Sequence, residues 1–191
     1  MTSDEALMLE FQGGSRAAFE ELFARYQKPL YGFFGRRLNN PERAEDLTQE
    51  TFLAVIRAVS RYEPRASVRT YLYGIALKLL AAERRRFSTS STSGQSTTEP
   101  KTDGTPECVL WVRQALEKLD APEREILMLR EYEQLSYSDI AELLRIPVNT
   151  VRSRLFRSRL ALKNHLGSEA RSNPALRAGT GQPHPGRRGM Q

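Results

Sequence analysis

Basic, hydroxyl and aromatic side chains recur at helical spacing near the end of the chain. Four of them fall on one side of a helical wheel: Arg152, Ser153, Phe156 and Arg157. Residues 147–166 contain five Arg or Lys and no acid. Cations arranged in this way suit phosphates, and the arginines, serine and phenylalanine suit base edges in a major groove. The pattern predicts a DNA-contacting helix, with a solvated charged helix on a bundle surface as the alternative.

The elements that must position this face have the pattern of a helix-turn-helix. Ser136 or Ser138 can cap a first short helix, and Pro147 suits the first turn of the second helix. The turn falls at Arg145, which we expect in a left-handed or strained conformation. The stripe expected to be buried on the second helix is Val148, Val151, Leu155, Leu162 and Leu166. We call the side formed by Arg152, Ser153, Phe156 and Arg157 the reading face. Beside it lie Asn149, Thr150, Arg154, Arg159 and Lys163.

Composition excludes several classes of protein. The chain has 191 residues, of which 39% are hydrophobic and 27% charged, as in ordinary globular proteins. No run approaches the ~20 apolar residues of a membrane span, and the acidic first residues, M-T-S-D-E-A, predict no export signal. A single cysteine, Cys108, and two histidines argue against a disulfide or a zinc site. We therefore expect a cytoplasmic protein without a membrane span.

The net charge of +6 is distributed in alternating zones. Residues 1–60 carry a net charge of −2, residues 61–87 carry +5, residues 106–146 carry −4 and residues 147–166 carry +5. The two basic zones predict two places of contact with a polyanion. The acidic helices suit a second partner that is not a nucleic acid.

The first half of the chain predicts four helices, over residues 4–12, about 15–38, about 41–62 and about 69–87. Pro29 and Gly32 are expected to bend or interrupt the second of these. The third has a buried stripe of Leu47, Thr51, Phe52, Val55, Ala58 and Val59. Its opposite face collects Asp46, Gln49, Glu50, Leu53 and Arg57. Leu53 is therefore an exposed apolar residue among polar ones, which fits a protein-docking patch or an ordinary surface leucine.

The fourth helix ends in Arg84, Arg85 and Arg86, which can complement the helix C-terminus. Tyrosines lie near these cations: Tyr62, Tyr71 and Tyr73. Aromatic rings next to cations can stack on unpaired bases, although a core position is the alternative for each tyrosine.

A change of composition divides the chain. Eleven of the eighteen residues 88–105 are Ser or Thr, which predicts a flexible linker. Residues 106–119 and 122–133 predict two helices that complete a four-helix domain with the helix-turn-helix. The expected architecture is all-α, with a first helical domain over residues 1–87 and a second over residues 106–166. Residues 167–191 show no periodicity and predict a disordered basic tail.

No catalytic or cofactor-binding motif occurs. The sequence lacks a phosphate-binding G-x-x-x-x-G-K-[ST], a nucleophile elbow and a dinucleotide fingerprint. We expect a protein that is not an enzyme and needs no cofactor or metal.

Two stretches resemble the extracytoplasmic-function (ECF) sigma factors of bacterial RNA polymerase. The first is A-E-D-L-T-Q-E-T-F at 44–52, followed by R-Y-E-P-R-A-S-V-R-T-Y-L-Y-G-I-A, which resembles the second sigma domain. The second is L-S-Y-S-D-I-A-E-L-L-R-I-P-V-N-T-V-R-S-R-L-F-R-S-R at 135–159, which resembles the fourth. Their order, with a linker between them, makes the resemblance specific.

The resemblance implies a role for each set of residues. Those matching the face that grips the clamp helices of the large polymerase subunit are Asp46, Gln49, Glu50, Leu53 and Arg57. Those matching minus-10 recognition, where a loop captures a flipped base, are Arg65, Ser67, Val68, Arg69, Tyr71, Lys78, Arg84 and Arg85. Those matching minus-35 recognition are Asn149, Thr150, Arg152, Ser153, Arg154, Phe156 and Arg157. The chain departs from the family at Tyr71, Lys78 and Arg145, where tryptophan, asparagine and glycine are common.

The partners implied are core RNA polymerase, through its clamp helices and its flap, and promoter DNA. An anti-sigma factor is a further partner that the resemblance leaves open. The rival interpretations are a helix-turn-helix regulator that acts without polymerase and an RNA-binding adaptor. Neither explains the face around Leu53.

Overall fold

The computed structural model describes residues 2–38, 40–90 and 107–172, and these form helices without strands. The helices are α1 (Asp4–Gln12), α2 (Arg16–Gly35), α3 (Pro41–Ala58), a 3-10 turn (Val59–Arg61), α4 (Val68–Ser90), α5 (Glu107–Glu117), α6 (Ala121–Glu131), α7 (Tyr137–Leu144) and α8 (Val148–Ser172). The all-α prediction is confirmed. In the described ranges no helix is both long enough and apolar enough to cross a membrane.

Side-chain caps explain where several helices begin. Ser3 accepts a hydrogen bond from the N–H of Ala6, and Ser15 from the N–H of Ala18. Asn40 caps α3 in the same way and is followed by Pro41, which lacks the N–H that a first helical turn leaves unpaired. The predicted cap at Ser15 is confirmed.

The helix boundaries differ from the expected ones at three places. Helix α2 is not interrupted at Pro29 or Gly32, because the burial of Leu30, Phe33 and Phe34 offsets one lost hydrogen bond; a bend at these residues stays a prediction. Helix α4 extends to Ser90, so the predicted linker begins later than residue 88, and residues 91–106 lie outside the described ones. Helix α8 continues to Ser172, so the first part of the predicted tail is helical; residues 173–191 are not described.

The chain divides into two compact units, which differ from the predicted domains. The first unit joins Met1–Thr102 with Met128–Val151, and the second joins Asp103–Leu127 with Arg152–Gln191. Residues 128–151 belong to the first unit because α7 packs on α4 and because Glu133 pairs with side chains of the N-terminal half.

The core of the first unit is built where α1, α2, α3 and α4 meet. Its fully buried large residues include Met8, Leu30, Phe33, Phe34, Leu47, Leu72 and Leu80. The rings of Phe19, Phe23 and Phe52 pack together, with Phe23 and Phe52 centroids 4.7 Å apart. This packing fixes α3, whose buried side is Ala44, Leu47, Thr48, Thr51, Phe52 and Val55.

A buried carboxylate joins distant parts of the first unit. Both carboxylate oxygens of Glu133 accept from Nη2 of Arg36, at 3.0 and 3.1 Å, and Oε1 accepts from Nη1 of Arg37 at 3.2 Å. The Glu133 side chain is 1% exposed and that of Arg37 is 2% exposed. The cluster is therefore a desolvated ion pair that holds the segment before α7 against α2.

The second unit has a small core of its own. Its buried residues include Ala115, Leu119, Ile126, Leu127 and Leu155. Ser158 is fully buried among them, and its hydroxyl lies 3.1 Å from the carbonyl oxygen of Glu123 and 2.7 Å from that of Arg154. This serine ties α8 to the first turn of α6.

Candidate nucleic-acid interface

The outer side of α3 carries an apolar pair in a polar frame. Leu53 is 47% exposed, and Ile56, one helical turn further on, is 44% exposed. Asp46, Gln49 and Arg57 are exposed around them, and Glu50 is half-buried. The predicted exposure of Leu53 is confirmed. Sequence reasoning missed Ile56, although its i+3 spacing from Leu53 was a usable signal.

Arg43 organises the acidic end of this face. Its Nε lies 2.6 Å and its Nη2 lies 2.8 Å from the two carboxylate oxygens of Glu83. Its Nη1 reaches Asp46 at 3.3 Å and Glu50 at 3.2 Å. The hydrogen bond from Arg43 lowers the pKa of Glu83, against the effect of burial. Arg43 therefore holds two of the predicted docking carboxylates in place.

The loop before α4 presents a mixture of buried and exposed side chains. Arg65, Ser67 and Arg69 are exposed. The Ser67 hydroxyl accepts a hydrogen bond from the N–H of Thr70, which stabilises the first turn of α4. Val68 is fully buried, and its N–H donates to Glu5. Val68 therefore anchors the loop, because its side chain fills the core; its part in minus-10 recognition stays a prediction.

A cavity of about 710 Å³ lies next to this loop in the first unit. Tyr62, Arg65, Tyr71 and Lys78 are among its lining residues. The rings of Tyr62 and Tyr71 meet edge to face with centroids 5.3 Å apart, and burial raises the pKa of both phenols. Within the described residues the buried Tyr62 hydroxyl has no hydrogen-bond partner. The cavity thus combines aromatic walls and cations.

Other predicted minus-10 residues lie beyond the cavity. Arg84 and Arg85 are exposed near the end of α4. Nη1 of Arg69 donates to the carbonyl oxygen of Glu133 at 3.3 Å. Thr70 donates to Asp139 of α7 at 2.8 Å. Although burial would raise the pKa of Asp139, hydrogen bonds from Ser136 and Thr70 outweigh it and lower the pKa.

The helix-turn-helix has a well-defined entry and exit for α7. Ser136 and Asp139 form a capping box at its start. At its end Arg145 adopts φ 54° and ψ 46°, the left-handed region. The N–H of Arg145 donates to Glu142 and that of Ile146 to Ala141, which is the Schellman arrangement. The predicted conformation of Arg145 is confirmed.

The exposed side of α8 is the predicted reading face. Asn149, Arg152, Ser153, Phe156 and Arg157 are exposed, while Thr150 and Arg154 are half-buried. Phe156 is 69% exposed, as its predicted contact with base edges requires. On the other side Val151 and Leu155 are buried as predicted, but Val148 is 36% exposed, because it lies at the helix start, where the stripe is not covered.

Comparison with known proteins shows that the chain matches two regions of one protein family. Residues 22–88 match the family model of sigma-70 region 2, and residues 110–162 match that of sigma-70, region 4. The first match contains α3 and most of the residues that line the cavity, and the second contains the helix-turn-helix. Together they define a protein of the sigma-70 class.

The alignment with this chain covers almost the whole length of its curated relatives. The chain is 32% identical to the RNA polymerase sigma-H factor of Pseudomonas aeruginosa over 180 residues, which are 85% of this chain and 93% of that protein. It is 31% identical to the ECF RNA polymerase sigma-E factor of Haemophilus influenzae, over 86% of this chain and 95% of that protein. The chain belongs to the ECF RNA polymerase sigma factors, which direct RNA polymerase to promoters.

Solved structures agree on the fold. The chain resembles CnrH in its complex with the cytosolic domain of CnrY, with a TM-score of 0.65 and 24% identity, over 88% of this chain and 99% of that one. It also resembles the sigma factor RpoE of Bartonella quintana, bound to the anti-sigma factor NepR, with a TM-score of 0.62 and 22% identity, over 78% of this chain and 96% of that one.

Proposed function

We propose that this sigma factor docks on core polymerase through the α3 face, receives an unpaired minus-10 base in the cavity beside Tyr62, and reads the minus-35 element with α8. It acts as a non-catalytic subunit in the cytoplasm. Region 2 is proposed to occupy residues 1–87 and region 4 residues 106–166. The observation that carries the proposal is the exposed pair Leu53 and Ile56, set in a frame of charged side chains on α3.

The α3 face has the composition of a protein-binding hot spot. Its small apolar centre, Leu53 and Ile56, would lose its water on binding. The surrounding polar and charged residues, which would form the rim of the interface, are Asp46, Gln49, Glu50 and Arg57. Arg43 restrains two of these carboxylates, so less side-chain entropy is lost on binding. We assign this face to the clamp helices of the large polymerase subunit.

The cavity suits an extruded base in shape and chemistry. A flipped base needs aromatic or apolar walls and polar groups for its exposed edge, and the cavity offers Tyr71 and Tyr62 together with Lys78. Arg65, Arg84 and Arg85 are exposed, and we assign them to contacts with the DNA backbone. Arg69 must first exchange its hydrogen bond to the Glu133 carbonyl for one to DNA.

The recognition helix divides its residues between bases and phosphates. Arg152 and Arg157 can each make a bidentate contact with guanine, and Phe156 can press on a thymine methyl group. Two domains that dock on one polymerase raise each other's effective concentration on the promoter, so promoter choice is a joint property of both elements.

Further partners follow from the family. The similar solved structures include one complex with an anti-sigma factor, and we include such a protein among the proposed partners. We also propose the polymerase flap as the docking site of the second domain.

Replacing Leu53 tests the docking face. Leu53→Asp should weaken binding to core polymerase by about thirtyfold or more, because truncating a hot spot costs about 2 kcal/mol or more. The matched control is Leu9→Asp on α1, since Leu9 is 45% exposed and Leu53 is 47% exposed. Binding is measured by fluorescence anisotropy, and promoter-dependent initiation by run-off transcription. Equal binding by the two variants would show that the α3 face is not the docking site.

A further inference from the structure

Arg157 belongs to the proposed minus-35 reading face, and its guanidinium forms an ion pair with the carboxylate of Glu123. The closest approach is 3.2 Å, between Nε of Arg157 and Oε1 of Glu123. The Arg157 side chain is 61% exposed and that of Glu123 is 19% exposed. A largely solvent-exposed guanidinium is thus paired at its Nε with a mostly covered carboxylate.

The position of Glu123 relative to Arg157 is fixed by the backbone. Ser158, the residue after Arg157, is fully buried, and its hydroxyl lies 3.1 Å from the Glu123 carbonyl oxygen. Glu123 is also in the first turn of α6, where the helix dipole favours a negative charge. Two independent contacts therefore join the start of α6 to the same turn of α8.

We propose that Glu123 is a positioning residue that holds Arg157 in the orientation needed to read a guanine of the minus-35 element. This inference rests on the proposed reading role of Arg157. An arginine approached at Nε directs its terminal nitrogens outward, and these form the fork that matches O6 and N7 of guanine. The carboxylate also offsets part of the positive charge, which favours directed hydrogen bonds to a base over a non-specific contact with phosphate.

The test uses the full chain with core polymerase on a library of promoters substituted at each minus-35 position. The measured quantity is the ratio of initiation between sequences in one preparation, so any loss of folded protein cancels. Arg157→Ala should lower the preference at one or two positions by roughly 5- to 150-fold. Glu123→Gln should lower the preference at those same positions by about threefold to tenfold, because the arginine stays but is no longer oriented.

Two further variants separate orientation from charge. Glu117→Gln removes the same charge from an exposed residue at the end of α5, and it should leave every preference unchanged. Glu123→Asp keeps the charge in the first turn of α6 but is one methylene shorter, so it should reproduce the loss seen with Glu123→Gln.

The outcomes distinguish the inference from the proposal beneath it. If Arg157→Ala loses base preference but Glu123→Gln behaves like Glu117→Gln, the inference is overturned and the reading role of Arg157 stands. If Glu123→Gln raises initiation equally on all promoters, the inference is also overturned, since the Glu123 carboxylate would then only compete with DNA for Arg157. Were Arg157→Ala to weaken all promoters alike, both the reading role and the inference would fail.

Discussion

Removing the carboxylate of Glu133 should destabilise the first unit more than any surface change. Glu133→Gln keeps the shape of the side chain but removes the negative charge that pairs with Arg37, whose side chain is 2% exposed. Arg36 loses the same partner, but its side chain is 31% exposed and it can be resolvated. The loss therefore falls mainly on Arg37.

The magnitude follows from burial. Breaking a buried ion pair by removing one partner costs about 3–5 kcal/mol. Because water reaches Arg36 and because glutamine keeps one acceptor oxygen, we expect the lower end, about 3 kcal/mol. If the free energy of unfolding falls by about 2 kcal/mol for each molar of urea, the unfolding midpoint should fall by about 1.5 M.

Urea unfolding followed by far-ultraviolet circular dichroism measures this change. The control is Glu142→Gln on α7, an exposed glutamate, which should change the free energy of unfolding by no more than about 0.5 kcal/mol. Arg37→Met combined with Glu133→Gln should be less destabilising than the sum of the two single changes, because both changes remove the same interaction. Equal midpoints for Glu133→Gln and the control, or strict additivity in the double variant, would refute the buried pair.

Three further changes test local features of the fold. Arg145→Gly should raise the free energy of unfolding by about 1 kcal/mol, because φ is 54° at this residue and glycine adopts that region without strain; a lower melting temperature would contradict this. Arg43 lowers the pKa of Glu83 from its ordinary value of 4.5, so the stability this pair supplies is present above that value and is lost as the pH falls through the folded pKa. The destabilisation by Arg43→Met, measured by urea unfolding, should therefore be full at neutral pH and shrink below about pH 4.5; a difference that persists in acid would exclude the pair as its source. Lys163→Ala should weaken all promoters alike and reduce the slope of log affinity against log salt by about one unit, and selective loss at one base would refute a phosphate contact.

Local signals made several features predictable. A cap at Ser136 or Ser138, the left-handed Arg145 and the exposure of Leu53 and Phe156 all follow from residue types within one or two helical turns; the structure shows that Ser136 is the cap. Such features depend on hydrogen bonds and side-chain spacing inside a single element, so the order of the amino acids is sufficient to predict them. The resemblance of two ordered motifs then identified the family, which the comparisons confirmed.

Features that depend on distant residues were not predictable. Nothing in the local pattern links Glu133 to Arg36, 97 positions away, or Arg43 to Glu83, 40 positions away. A charged residue in a polar stretch is expected in water, and only the packing of other helices can bury it. The interpretation of 106–133 as part of a separate domain likewise did not foresee that residues 128–151 group with the first unit.

The sequence by itself determined the helices, their caps and the chemistry of each exposed face, because these are set by neighbours along the chain. Only the tertiary structure decided that Val68 is an anchor, that Ser158 is buried and that Glu123 lies beneath Arg157. These facts depend on which helix covers which side chain. That choice buries apolar surface from the whole chain while pairing most buried polar groups, so no single segment can specify it.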